Sequence, residues 1–87
     1  MYYVYILQSE KDGLWYTGYT EHLAQRIKQH NEGSTESTKR RRPLKLIYYE
    51  AYLDKEDALG REKFLKSGSG KRFLKKQLHH YFSRIIM

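Results

Sequence analysis

The chain contains no cysteine and only one proline among its 87 residues. Without cysteine there is neither a disulfide framework nor a thiolate metal site, so a small core must hold without a covalent staple. Long apolar runs are also missing. No stretch approaches the roughly 18 consecutive apolar residues of a membrane helix. The short run from Tyr2 to Leu7 has no basic segment before it, as a signal peptide would. These absences lead to the expectation of a cytoplasmic protein with no membrane partner. No internal repeat is visible, and 87 residues suffice for one domain, 1–87, but not for a second core.

Tyrosine is abundant, with nine residues, and cations exceed acids to leave a net charge of +7. That charge is unevenly placed. Residues 1–38 hold three Lys/Arg against five Asp/Glu, and residues 39–87 hold fourteen against five. A basic, aromatic-rich small domain is suited to a polyanion, and nucleic acid is the commonest one. The competing interpretation is a basic surface kept soluble by repulsion.

Tyr2-Tyr3-Val4-Tyr5-Ile6-Leu7 and Trp15-Tyr16-Thr17-Gly18-Tyr19 are dense in β-branched and aromatic residues, and Ser9 to Gly13 between them is polar. This pattern predicts a β-hairpin. A register centred on the turn sets Tyr5 opposite Tyr16, with both phenols on one face. Thr20 is expected to cap a helix from Glu21 to Glu32, ended by Gly33. Leu23 and Ile27 would face the sheet, and Arg26 and His30, four apart, would share an adjoining face.

After the polar loop Gly33 to Thr38 comes Lys39-Arg40-Arg41-Arg42-Pro43, four consecutive cations that are either solvated or placed against phosphates. Leu44 to Tyr52 reads as a third strand, with Leu44, Leu46 and Tyr48 alternating against Lys45, Ile47 and Tyr49. Asp54 is the expected cap of a second helix, with Glu56 and Asp57 in its first turn. Glu62 falls within that helix's apolar stripe of Ala58, Leu59 and Leu65, a costly place for a carboxylate without a partner. An ion pair with Arg26 or a lysine, or a divalent metal, would each satisfy it. Ser67 to Gly70 is expected to break the chain before a last helix from Lys71 to Ile85. Its apolar stripe is Phe73, Leu74, Leu78, Tyr81, Phe82 and Ile85, with Lys71 and Arg72 among the cations on the rest. Ile85-Ile86-Met87 forms an apolar end that would fray or join a dimer contact.

In order, Tyr3-Val4-Tyr5, Tyr16-Thr17-Gly18, Arg26, His30-Asn31-Glu32-Gly33, Thr38 with Arg42-Pro43, Leu46 to Glu50, and Arg61-Glu62-Lys63-Phe64-Leu65-Lys66 resemble the GIY-YIG nuclease domain. The likeness is greatest to small stand-alone members related to the nuclease domain of the excision-repair subunit UvrC, and it covers residues 2 to about 76. It implies an α+β fold, a three-stranded antiparallel sheet flanked by helices in the order ββαβαα. It also implies metal-dependent phosphodiester hydrolysis, with DNA favoured over RNA and repair or recombination as the setting. Carried over by position, Tyr5, Tyr16, Arg26, His30 and Glu62 would be catalytic, Gly18 the glycine of the second motif, and Glu62 the ligand of Mg²⁺ or Mn²⁺. Tyr3 departs from the first motif's glycine, Val4 and Thr17 replace isoleucines, and no asparagine is matched after Glu62.

The chemistry is consistent on its own terms. A hard cation on one carboxylate, a guanidinium for the phosphate, and a general base meet the needs of the reaction. Tyr5 and His30 are rival bases, and Tyr16 would position water or phosphate. Lys39, Arg40, Arg41, Arg42, Lys71 and Arg72 are the expected nucleic-acid contacts. They carry no base code, so any sequence specificity would come from a protein partner. A binding module that keeps the fold without turnover and a protein-interaction subunit are the alternatives.

Overall fold

The hairpin is closed by its turn. In the computed structural model, which describes residues 1–86 and the side chains of residues 1–84, β1 spans Tyr2–Ser9 and β2 spans Trp15–Thr20. Ser9 Oγ accepts hydrogen bonds from the backbone N–H of Lys11 and of Asp12, both at 3.1 Å. Asp12 Oδ1 accepts from Leu14 N–H at 2.9 Å. Gly13, at φ 74°, takes the left-handed conformation that closes the loop. With residues 10–14 in the loop, Tyr5 pairs with Gly18 and Leu7 with Tyr16. The centred register is therefore two residues off. Strand side chains alternate with a period of two, so the shift keeps Tyr5 and Tyr16 on one face.

The third strand, β3, runs Leu44–Tyr52 as expected and pairs antiparallel with β1, giving the order β2-β1-β3. Its faces differ from the expected alternation. Ile6 pairs with Tyr48 but Leu7 with Leu46, so Ile47 is an extra residue in the strand. The bulge reverses the faces midway. Leu44 and Leu46 join Tyr5 and Leu7, whereas Ile47 and Tyr48 join Val4 and Ile6.

Helix α1, Leu23–Glu32, starts later than Thr20 predicts. Thr20 Oγ1 accepts from His22 N–H at 3.0 Å, so it closes a turn ahead of the helix. His22 takes the cap position without capping through its side chain. Gly33, φ 82°, ends the helix as expected. Residues Lys39–Arg41 form a single 3-10 turn. Helix α2, Lys55–Lys66, is capped by Asp54, which accepts from Glu56 N–H at 2.8 Å.

The break after α2 is much shorter than the Ser67 to Gly70 loop expected. Ser67 Oγ donates to the Phe64 carbonyl at 2.6 Å and accepts from Gly70 N–H at 3.1 Å, so one residue closes α2 and caps the next helix. Helix α3 is Gly68–Gln77, and a further helix, α4, covers His79–Ile86 after an interruption at Leu78. The expected Lys71 to Ile85 helix is thus two helices. Gly70 is buried at the corner, where a Cβ would overlap the Phe64 carbonyl oxygen and crowd Leu65 Cα. Because backbone atoms cannot swing aside, Gly70→Ala is expected to cost more than about 2 kcal/mol of stability, read as a lower urea midpoint at an unchanged slope. The expected contact of Ile85, Ile86 and Met87 lies outside the described side chains.

Helices cover both faces of the sheet. α1 lays Leu23 and Ile27 over Tyr5, Leu7 and Leu44. On the other face Val4 and Ile6 pack with Ala58 and Leu65 of α2 and Leu74 of α3, with Phe73 and Leu78 at the edge of the cluster. Tyr81 donates to Gln8 Oε1 at 2.9 Å, and Phe82 stacks on Trp15 at 5.1 Å, so α4 carries on the apolar stripe predicted for the last helix. α2 is also fixed by a polar tie. Glu50 of β3 accepts from Tyr48, Tyr52 and Arg61, the last at 2.9 Å, while the Arg61 guanidinium lies over Phe64 and Phe73. Burial raises the Glu50 pKa, but Arg61 and the two hydroxyls outweigh it and hold the carboxyl below its ordinary value. The residue after Arg61 is Glu62, so this tie sets where that carboxylate points.

Candidate active site

Gly18 lets the site form. It is the partner of Tyr5 in the edge strand, and a Cβ there would overlap the Tyr5 ring at Cζ and Oη. The missing side chain makes room for the phenol to lie across β2. Tyr5 is 1 % exposed, and its hydroxyl lies 2.8 Å from His30 Nε2. His30, fully buried on the last turn of α1, places its Nδ1 2.7 Å from Thr38 Oγ1. Tyr16 closes the group, with its ring centroid 6.3 Å from Tyr5 and 4.9 Å from His30. Asn31 pins the end of α1 to β3 by exchanging two hydrogen bonds with the Leu44 backbone, at 2.9 and 2.8 Å.

In a neutral imidazole one ring nitrogen accepts and the other donates, and the tautomer in which Nε2 accepts from the phenol while Nδ1–H donates to Thr38 satisfies all three groups. Burial pushes the Tyr5 phenol up to about 12, with Arg26 opposing it and Tyr16 and Glu62 adding to it. Arg26 does lower the phenol, but desolvation outweighs the cation. Burial, and then Arg26, hold His30 down to about 4, so its imidazole is neutral at pH 7.

The depressed His30 has a consequence for stability. An unfolded His titrates near 6.5 and the folded one near 4, so between these values the unfolded chain binds the extra proton. This contribution is fully present above pH 6.5 and is lost as pH falls towards 4. At about 1.4 kcal/mol per pH unit it amounts to about 3 kcal/mol. Urea unfolding of the wild type should weaken across that window, and His30→Gln should flatten the slope there.

Glu62 sits on α2 with its side chain 19 % exposed, paired 3.2 Å from Lys66, which is 57 % exposed. This is the lysine pair considered from the sequence, and the partner is an exposed side chain one turn away. After burial, the Glu62 charge contributes to raising both Tyr5 and Tyr19, which puts the carboxylate within electrostatic reach of both phenols. A partly buried carboxylate is a hard oxygen donor of the kind that suits Mg²⁺ or Mn²⁺. Among the described residues no three His, Asp or Glu side chains gather. Glu62 would hold an ion here, with water and substrate as further ligands. Arg26 is half-buried, held by Gln29 Oε1 at 3.2 Å.

The cationic run is divided by the fold. Arg41 is half-buried, pairing with Asp12 at 3.3 Å and donating to the Trp15 carbonyl at 3.4 Å, so part of its bonding capacity is taken up by the protein. Lys39, Arg40 and Arg42 join Lys11 around a groove beside Pro43 and Asn31. Lys39 also pairs with Glu36 at 3.0 Å, and Arg42 Nε donates to the Lys39 carbonyl at 2.7 Å. Lys71 lines a separate cleft at the hairpin end, and Arg72 donates to Ser69 Oγ at 3.0 Å. Thr38 and Gly18 are the residues whose part in the geometry the sequence reading did not derive. Thr38 is in a small polar loop that gives no sign of burial, although its place eight residues after His30 is within one helix-end loop.

The chain is similar to known proteins over most of its length. The family model for the GIY-YIG catalytic domain matches residues 1–77. A UPF0213 protein of Clostridium perfringens is 45% identical over 67 residues, covering 76% of this chain and 71% of the relative. One from Staphylococcus saprophyticus is 43% identical over 75 residues, covering 85% and 90%. The solution structure of a UPF0213 protein from Bacillus halodurans is 40% identical with a TM-score of 0.56, covering 88% of this chain and 85% of that one.

Proposed function

Because the chain belongs to the GIY-YIG catalytic domain family, we propose that residues 1–87 act as a single divalent-metal-dependent endonuclease that hydrolyses phosphodiester bonds in DNA, in repair or recombination. The observation that carries this reading is the buried chain Tyr5, His30, Thr38, lying beside Arg26 and within reach of the Glu62 charge. Such a chain has no use in a passive core, where apolar residues of the same volume would pack without buried polar atoms to satisfy.

Glu62 would hold Mg²⁺ or Mn²⁺, which when bound supplies positive charge to the scissile phosphate and its attacking water. Arg26 binds the phosphate through its planar fork. Tyr5 does not wait as a phenolate, since ionising a phenol at about 12 costs about 7 kcal/mol at pH 7. Its oxygen takes a proton from water as its own hydrogen passes to His30 Nε2. Tyr5 and His30 are then two stations of one relay rather than rivals. A phosphate against Arg26 cancels the cation that helps depress His30, so substrate raises the basicity of the acceptor. Tyr16, against both rings, orients the water or phosphate.

The second reading, a nucleic-acid-binding module without turnover, is favoured by one observation. At rest Tyr5 stands near 12 and His30 near 4, both far from the pH at which a base works best. The two readings separate in one assay. Labelled single-stranded, duplex and branched DNAs are incubated at low salt with Mg²⁺, Mn²⁺ or EDTA. Products in metal only are expected, and the substrate cut fastest identifies the class. Salt-sensitive binding with no cleavage of any substrate would establish the binding module.

A further inference from the structure

At the hairpin end, on the sheet face opposite α1, a cleft of about 490 Å³ opens between the turn and α3. Its floor is apolar. Leu14 is 64 % exposed there, and Trp15 and Phe82 stack at 5.1 Å. Its walls are cationic. Lys71 and Lys75, one turn apart on α3, line the cleft together with Arg41, and among the described residues no carboxylate does. Arg41 is held in place by its pair with Asp12 and by the Trp15 carbonyl.

We propose that this cleft binds an unpaired stretch of the DNA substrate, with a base on the Leu14, Trp15 and Phe82 floor and phosphates on Lys71, Lys75 and Arg41. The proposal rests on the reading of the chain as acting on DNA. A duplex presents phosphates outward and keeps its base faces stacked, so it cannot fill an aromatic floor, whereas an unpaired strand offers both parts at once. The cleft also adjoins the candidate active site. β2 is an edge strand, and its consecutive residues Trp15 and Tyr16 belong to opposite faces, Trp15 with the α2 and α3 cluster and Tyr16 with Tyr5. A strand leaving the cleft therefore needs only to round the free edge of β2 to reach the phenols. The substrate implied is a junction, flap or frayed end, in which single and double strand meet.

Trp15 is the chain's one tryptophan, so its fluorescence reports the cleft directly. The full chain is titrated in EDTA at low salt with a twelve-residue oligothymidylate, with a blunt twelve-base-pair duplex and with a twelve-residue polyglutamate. Quenching by the single strand alone is expected. Lys71→Ala/Lys75→Ala should weaken it by about tenfold or more, while Lys28→Ala/Lys55→Ala, an equal charge change elsewhere, should weaken it less than about threefold. Equal quenching by duplex or by polyglutamate, or equal loss in both double variants, overturns the proposal. The readout is binding without metal, so it fails separately from the nuclease reading. Loss of quenching removes the cleft and leaves hydrolysis standing, and a wild type that cuts nothing leaves the cleft standing.

Discussion

Tyr5→Phe is expected to lower the cleavage rate by about 10²- to 10⁴-fold, the range of a lost general acid–base step. The substitution removes one oxygen from a fully buried side chain and leaves its ring in the core between Leu7 and Ile27. The stability change is therefore about 1 to 3 kcal/mol, because the buried His30 Nε2 is left without its partner. DNA affinity in EDTA should hold, because Arg26 and the surface cations are untouched. His30→Gln should lose a similar factor, and the double variant little more than either alone, since two stations of one relay are lost together. Additive losses would show two independent bases.

Glu62→Gln is expected to lower metal-dependent cleavage by about 10³-fold or more, because it removes the carboxylate charge that would hold the divalent ion. The amide keeps the shape of the side chain and can accept from Lys66, and α2 stays held by Asp54, by the Glu50–Arg61 tie and by Leu65 in the core. The exposed pair with Lys66 contributes under about 0.5 kcal/mol, so the unfolding midpoint should move little. Loss of rate together with loss of fold would make Glu62 a structural residue.

Features set by neighbouring residues were legible in the sequence. The extent of β3, the Asp54 cap and the Gly33 stop each follow from side chains within a few positions. The three-stranded α+β order and the family were legible from the ordered motifs. Features set by distant partners were not. The bulge at Ile47 belongs to the pairing of β3 with β1, far away in the chain, and no local signal marks it. Gly70 looked like a breaker because its reason for being glycine is the Phe64 carbonyl packed against it. Arg41 read as one of four equivalent cations until Asp12 and the Trp15 carbonyl, both more than twenty residues away, claimed it. In the site, spacing predicted that Arg26 would lie near His30. It did not predict that His30 would be buried between Tyr5 and Thr38, nor that burial would drive the phenol up and the imidazole down.

The most direct test is the cleavage rate of the wild type in Mg²⁺ on the best DNA substrate, with the same preparation in EDTA and the Glu62→Gln protein purified in parallel as the blank. The account predicts products from the wild type in Mg²⁺ and neither in EDTA nor from the variant. Equal product from wild type and variant, or none from the wild type on any substrate it binds, would contradict it.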